Sequence, residues 1–140
     1  MQYRTGTWVP APGGPPEWAQ SITGTFPSED IDRDGICKAG EDTNGDGQLT
    51  PGNVATTAPT VTTTDNGTAG VVILYPRSFA LWVEVLLDVR VQVAGSEGAA
   101  SAQFWLPIAA ADLADKAVAP PGSPSPFPFP VGPTFPRTCP

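Results

Sequence analysis

The stretch that organises this chain is EDIDRDGICKAGEDTNGDGQLTPG, residues Glu29 to Gly52. It carries seven of the fourteen carboxylates: Glu29, Asp30, Asp32, Asp34, Glu41, Asp42 and Asp46. It also repeats with a twelve-residue period, Glu29-Asp30-x-Asp32-x-Asp34-Gly35 becoming Glu41-Asp42-x-Asn44-x-Asp46-Gly47. Carboxylates this dense repel one another unless a cation sits among them, and only Arg33 and Lys38 are local.

The spacing specifies the cation. Asp30, Asp32 and Asp34 occupy alternate positions, Gly35 supplies a sharp turn, Ile36 offers its carbonyl, and Glu41 falls at the closing position. This is the D-x-D-x-D-G-x5-E calcium pattern, in which a loop wraps a hard cation with oxygen ligands at about 2.3–2.6 Å. The second copy has Asp42, Asn44, Asp46, Gly47 and the Gln48 carbonyl, but Asn53 stands at its closing position. It therefore reads as a weaker or externally completed site. The expectation is one full calcium site and a second beside it; the alternative is a solvated acidic loop. Phe26-Pro27-Ser28 before the repeat and Pro51-Gly52 after it leave no room for flanking amphipathic helices. The loops resemble the tandem calcium loops of dockerin and thrombospondin type 3 repeats, which implies a structural role and not an opening sensor.

Outside the repeat, eighteen prolines and fifteen glycines in 140 residues oppose long helices and favour an all-β chain with one modest core. Net charge is −7, which two bound calcium ions would reduce to −3. That charge disfavours nucleic acid and anionic membrane as partners. Histidine is absent, so Ser-His-Asp and Cys-His catalysis and His-based metal sites are excluded. The other carboxylates, such as Glu84 and Asp88, fall on an expected solvent side, so no enzyme is expected. No apolar run is long enough for a membrane span, the N-terminal residues lack the basic-then-apolar pattern of a signal peptide, and Met1-Gln2-Tyr3-Arg4 reads as interior sequence given an initiator.

Residues 1–28 mix Tyr3, Trp8, Trp18, Ile22 and Phe26 with prolines and read as an extended N-terminal arm, with a strand at most over Tyr3–Val9. Calcium loops occupy 29–53, a β domain 54–118 and a Pro-rich strap 119–140. Within the β domain, Val54–Thr64 hardens into a strand near Thr60–Thr64. Asp65-Asn66-Gly67 is a hairpin turn. Thr68–Tyr75 is an interior strand. From Leu81 to Val93 apolar residues alternate at the odd positions, which predicts a long strand with one buried face, and Ser101–Pro107 returns beside it. Ala109–Val118 reads as a short helix. Phe127, Phe129 and Phe135, interleaved with proline, predict a polyproline strap laid across the domain. Cys37 and Cys139 are expected to pair as a disulfide if the chain is extracellular; an intermolecular bridge and free thiols are the alternatives. Trp82 and Trp105 are candidates for an outward sugar-stacking platform or for receiving the strap.

The run TTTDNGTAGVVILYPRSFALWVEVLLDVRVQVAGSEGAASAQFWLP resembles the later strands of bacterial immunoglobulin-like (Big) domains, with a Thr64–Ala69 turn before a strand and a long strand entering Gly95-Ser96-Glu97. The order of calcium segment, strands and Pro-rich, Cys-containing end is similar to the C-terminal region of long surface or secreted proteins built from such repeats. The resemblance implies an immunoglobulin-like β-sandwich, here short of the usual seven or so strands. It implies an extracellular or bacterial cell-surface structural protein, partnered by neighbouring immunoglobulin-like domains or copies of itself. One form is a filament subunit donating residues 1–25 as a strand; the competing class is an adhesin binding a glycan or cell-surface ligand.

Overall fold

The computed structural model describes residues 1–93, 95–130 and 139. They are mostly β-strand, in three two-stranded antiparallel sheets with almost no helix. Strand β1 (Gln2–Pro10) pairs with β2 (Trp18–Pro27), β3 (Thr56–Thr57) with β4 (Ile73–Leu74), and β5 (Glu84–Val93) with β6 (Ser96–Trp105).

The N-terminal residues are a hairpin and not an extended arm. Gln2 to Pro10 pair with Pro27 to Trp18, so β1 finds its partner within the chain and is not a free strand to donate. The prolines that argued against this sit where they do no harm: Pro10 and Pro27 at strand ends, Pro12, Pro15 and Pro16 in the connection. Alternation was hidden by a register shift at Thr5/Gly6, where burial passes from odd residues Tyr3 and Thr5 to even Trp8. Gly6 is required there, because a Cβ would lie 2.1 Å from the Ser21 carbonyl oxygen.

The core is assembled from distant segments. Tyr3, Trp8, Val54, Trp82, Val83, Leu106 and Phe127 form one buried cluster. Trp8 meets Trp82 edge-on at 5.8 Å, and Phe127 packs on Tyr3 at 5.6 Å and on Phe79 at 5.3 Å. The strap does lie across the molecule, chiefly over β1. The Ser125 N–H donates to the Gly6 carbonyl at 2.8 Å, its hydroxyl donates to the Arg4 carbonyl at 2.7 Å, and Phe129 stacks edge-on against Phe26 at 5.0 Å. Phe135 lies outside the described residues. Arm, β domain and strap thus share one core.

Four expectations within residues 54–118 are corrected. The Asp65–Gly67 turn closes, with Thr64 N–H donating to the Thr68 carbonyl at 2.8 Å, but its arms do not zip: only Thr56–Thr57 and Ile73–Leu74 form a ladder. Pro59 interrupts the first arm and removes a ladder donor. The second arm is not interior, since Val72 is 71% and Leu74 62% exposed. The Leu81–Val93 strand begins only at Glu84. Leu81 takes a positive φ of 60° and consecutive Trp82 and Val83 are both buried, so alternation cannot start before that kink. Its outer half projects into solvent beside an exposed β6, leaving Val89 and Val91 uncovered. The expected helix reduces to a 3-10 turn at Ala110–Leu113.

Candidate metal centre

Each copy of the acidic repeat folds into the same loop. In the first, Asp30 Oδ1 accepts from the Asp34 N–H (3.1 Å) and Oδ2 from Gly35 (3.0 Å). Asp32 accepts from Asp34 (3.3 Å), and Asp34 from Ile36 (2.8 Å). In the second, Asp42 accepts from Asp46 (3.2 Å) and Gly47 (2.8 Å), Asn44 from Asp46 (2.9 Å), and Asp46 from Gln48 (2.8 Å). These four bonds repeat at the twelve-residue offset, and the second loop adds one more, from the Gly45 N–H to Asp42 Oδ1 at 2.6 Å. Short carboxylate side chains turn the backbone inward in this way by bonding amides two to five residues on. The turn also needs left-handed backbone at two places: Arg33 and Gly35 in one loop (φ 64° and 74°), Gly45 and Gly47 in the other (78° and 80°).

The two loops are joined by an exchange of glutamates. Glu41 reaches back into the first loop, where Oε1 accepts from the Ile31 N–H at 3.1 Å and Oε2 from Lys38 at 2.9 Å. Glu29 does the same to the second. Its Oε1 accepts from the Thr43 N–H (2.9 Å), the Thr43 hydroxyl (2.6 Å) and the Asn44 N–H (2.9 Å), and its Oε2 from Thr50 (2.7 Å). Ile31 and Lys38 stand in the first loop where Thr43 and Thr50 stand in the second. The relation is therefore a pseudo-twofold, each glutamate preceding its own loop and clamping the other. Glu29 is 2% exposed, so its four bonds are made out of reach of water. None of the hydrogen bonds among the described residues that hold the second loop involves the Asn53 side chain; Glu29 is the carboxylate brought to it. Sequence reasoning missed this role. The signal was the repeated Glu-Asp pair that opens each copy.

The environments differ. Asp42 and Asn44 are buried, whereas Asp32 and Asp34 are exposed. Asp30, Asp32 and Glu41 bring carboxylate oxygens within 4.8 Å of one another, an all-oxygen acidic triad that can hold a metal ion. Asp34 is drawn elsewhere. The Lys38 ammonium lies between Asp32 (2.5 Å) and Asp34, and its hydrogen bond, helped by the Ile36 N–H, holds the Asp34 carboxyl below the usual range. The same two carboxylates push the Lys38 ammonium up.

Cys37, within the first loop, is bonded to Cys139 across 102 residues, with Cα atoms 5.3 Å apart. The disulfide is intramolecular and fixes the end of the strap to the acidic loops. The tryptophan platform is not formed. Trp82 is fully buried against Trp8, and the Arg4 guanidinium covers the Trp105 ring at 3.6 Å. Comparison of the chain with family models, curated proteins and solved structures finds no match in any of the three.

Proposed function

We propose that the chain is an extracellular structural module in which calcium rigidifies the joint between the N-terminal hairpin, the β domain and the C-terminal strap. The observation that carries this reading is the glutamate exchange: two loops of calcium-type geometry locked to each other by buried carboxylates. Asp30, Asp32, Glu41 and the Ile36 carbonyl would hold one ion; Asp42, Asn44, Asp46 and the Gln48 carbonyl would hold the other. Asp34 joins the first set when Lys38 gives way. The bound cation supplies charge neutralisation to a segment that otherwise places seven carboxylates within 24 residues. Its binding energy becomes folding energy, since the unfolded chain has no site. The disulfide supports an oxidising compartment. Among the described residues no helix is long and apolar enough to cross a membrane. Membership among immunoglobulin-like surface modules is part of this proposal and rests on the sequence patterns at Thr64–Ala69 and Gly95–Glu97. Burial of Trp82 removes the observation that favoured a glycan-binding adhesin.

Calorimetric titration and thermal melts test the reading. The chain stripped with EDTA should bind calcium, gain melting temperature on binding, and lose protease sensitivity within residues 29–52. Absence of both calcium heat and a melting shift refutes it.

A further inference from the structure

The β5–β6 ribbon has a free edge whose chemistry matches itself. The Tyr3–Val83 bridge lays β1 against the start of β5, with the Arg4 N–H donating to the Trp82 carbonyl at 2.7 Å. Even-numbered residues of this strand therefore aim their backbone groups away from β6, while Leu106 N–H bonds the odd-numbered Val83 carbonyl at 2.9 Å on the β6 side. Beyond Val83, no strand among the described residues lies on that edge. A groove of about 640 Å³ runs beside its first part, between β5 and the acidic loops. Glu84, Val85, Leu86 and Asp88 all line it; they come from both faces, which marks the strand's edge and not a face.

We propose that this edge pairs with β5 of a second copy of the chain, antiparallel about a twofold axis through Val89. In that register Asp88 of each copy faces Arg90 of the other, Leu87 faces Val91, and Leu86 faces Gln92. The phase is right: the pairs that exchange N–H and carbonyl groups are the even-numbered ones, whose backbone groups point outward. Two cross-strand ion pairs form together, because a twofold contact repeats every interaction. None of the ion pairs among the described residues includes Asp88 or Arg90, so both are available. The Ser101 hydroxyl bonds only Oδ1 of Asp88, at 2.5 Å, and holds the carboxylate in place.

Charges often protect an edge from pairing, but protection needs like charges to meet. Opposite charges two residues apart are complementary under a twofold. The β6 edge offers no such match: Gly98, Ala99, Ala100 and Ala102 are poor strand formers and Glu97 has no cation along the strand. Pairing also makes a four-stranded sheet from a ribbon exposed along its outer half, and a lone two-stranded ribbon is marginal in water. A seven-residue ladder over 86–92 suffices. It ends short of Val85, where the Tyr3–Val83 register brings Met1. This contact is separate from the calcium reading and does not depend on it.

Sedimentation velocity across a concentration series, at about 0.15 M salt to screen the net charge, tests the proposal. Wild-type chain should pass from monomer to dimer. Arg90→Asp and Asp88→Arg should each weaken association about tenfold or more, because two attractive pairs become two repulsive ones. The double variant D88R/R90D should regain the dimer, and the two single variants mixed together should form a heterodimer. Circular dichroism on each variant confirms folding, and the double variant keeps the test readable if one single variant fails to fold. A wild type that stays monomeric overturns the proposal, as does a dimer indifferent to both single substitutions.

Discussion

Replacing Glu29 with glutamine probes the clamp with almost no change of volume. The carboxylate accepts four hydrogen bonds, three on Oε1 and one on Oε2. A glutamine oriented with its carbonyl toward Thr43 and Asn44 keeps three of them, without the charge. Its amide nitrogen then faces the Thr50 N–H, donor against donor. One charge-assisted bond is lost, two donors are left unsatisfied in a buried site, and the remaining bonds weaken; together these cost roughly 3–5 kcal/mol. Set against a typical total of about 5–15 kcal/mol, the variant should be visibly fragile. Urea unfolding with the disulfide intact measures it, in EDTA and again in calcium. Because Glu29 acts on backbone amides, the loss should appear in both conditions. A loss below about 1 kcal/mol would refute the clamp. A loss seen only with calcium would mean that Glu29 acts as a metal ligand, and would equally refute the reasoning.

Two further outcomes follow from the core. Burial pushes the Tyr3 phenol from 10.0 up to about 12, with the Glu29 and Asp46 carboxylates adding to it, and its hydroxyl has no hydrogen-bond partner among the described residues. The neutral phenol is favoured in the folded state, so its contribution is complete below pH 10 and disappears as pH rises toward 12, at most about 3 kcal/mol. Urea midpoints measured between about pH 9 and about pH 12 should fall more steeply for wild type than for Tyr3→Phe, which at neutral pH is neutral or slightly stabilising; parallel curves would contradict this. Phe127→Ala removes the ring that joins the strap to Tyr3 and Phe79, and should cost about 3–5 kcal/mol by urea unfolding. A loss under 1 kcal/mol would show that the Phe127 ring does not hold the strap.

Local chemistry was legible where the bonds themselves are local. The turn at Asp65–Gly67 and the two acidic loops are set by Asp, Asn and Gly bonding amides a few residues away, so spacing alone places them. The strand from Glu84 to Val93 was legible for a related reason, since its period-two pattern survives outside the kink; the Ser96–Ala100 half of its partner was not, because Gly and Ala carry no strand signal. The N-terminal hairpin was not, because a register shift breaks its alternation and prolines crowd its connection. Nor could one copy of a motif reveal that its glutamate serves the other copy; Glu29 looks like one more surface acid until Thr43 and Thr50 are brought to it.

By itself, then, the sequence determined the all-β character, the repeated acidic loops and the pair of cysteines, all of which follow from residue type and short-range spacing. Tertiary structure alone decided which aromatics are buried, that Trp82 is core and not platform, and that Glu29 and Glu41 exchange places. Those outcomes depend on contacts between residues far apart in the chain, whose partners no local pattern can name.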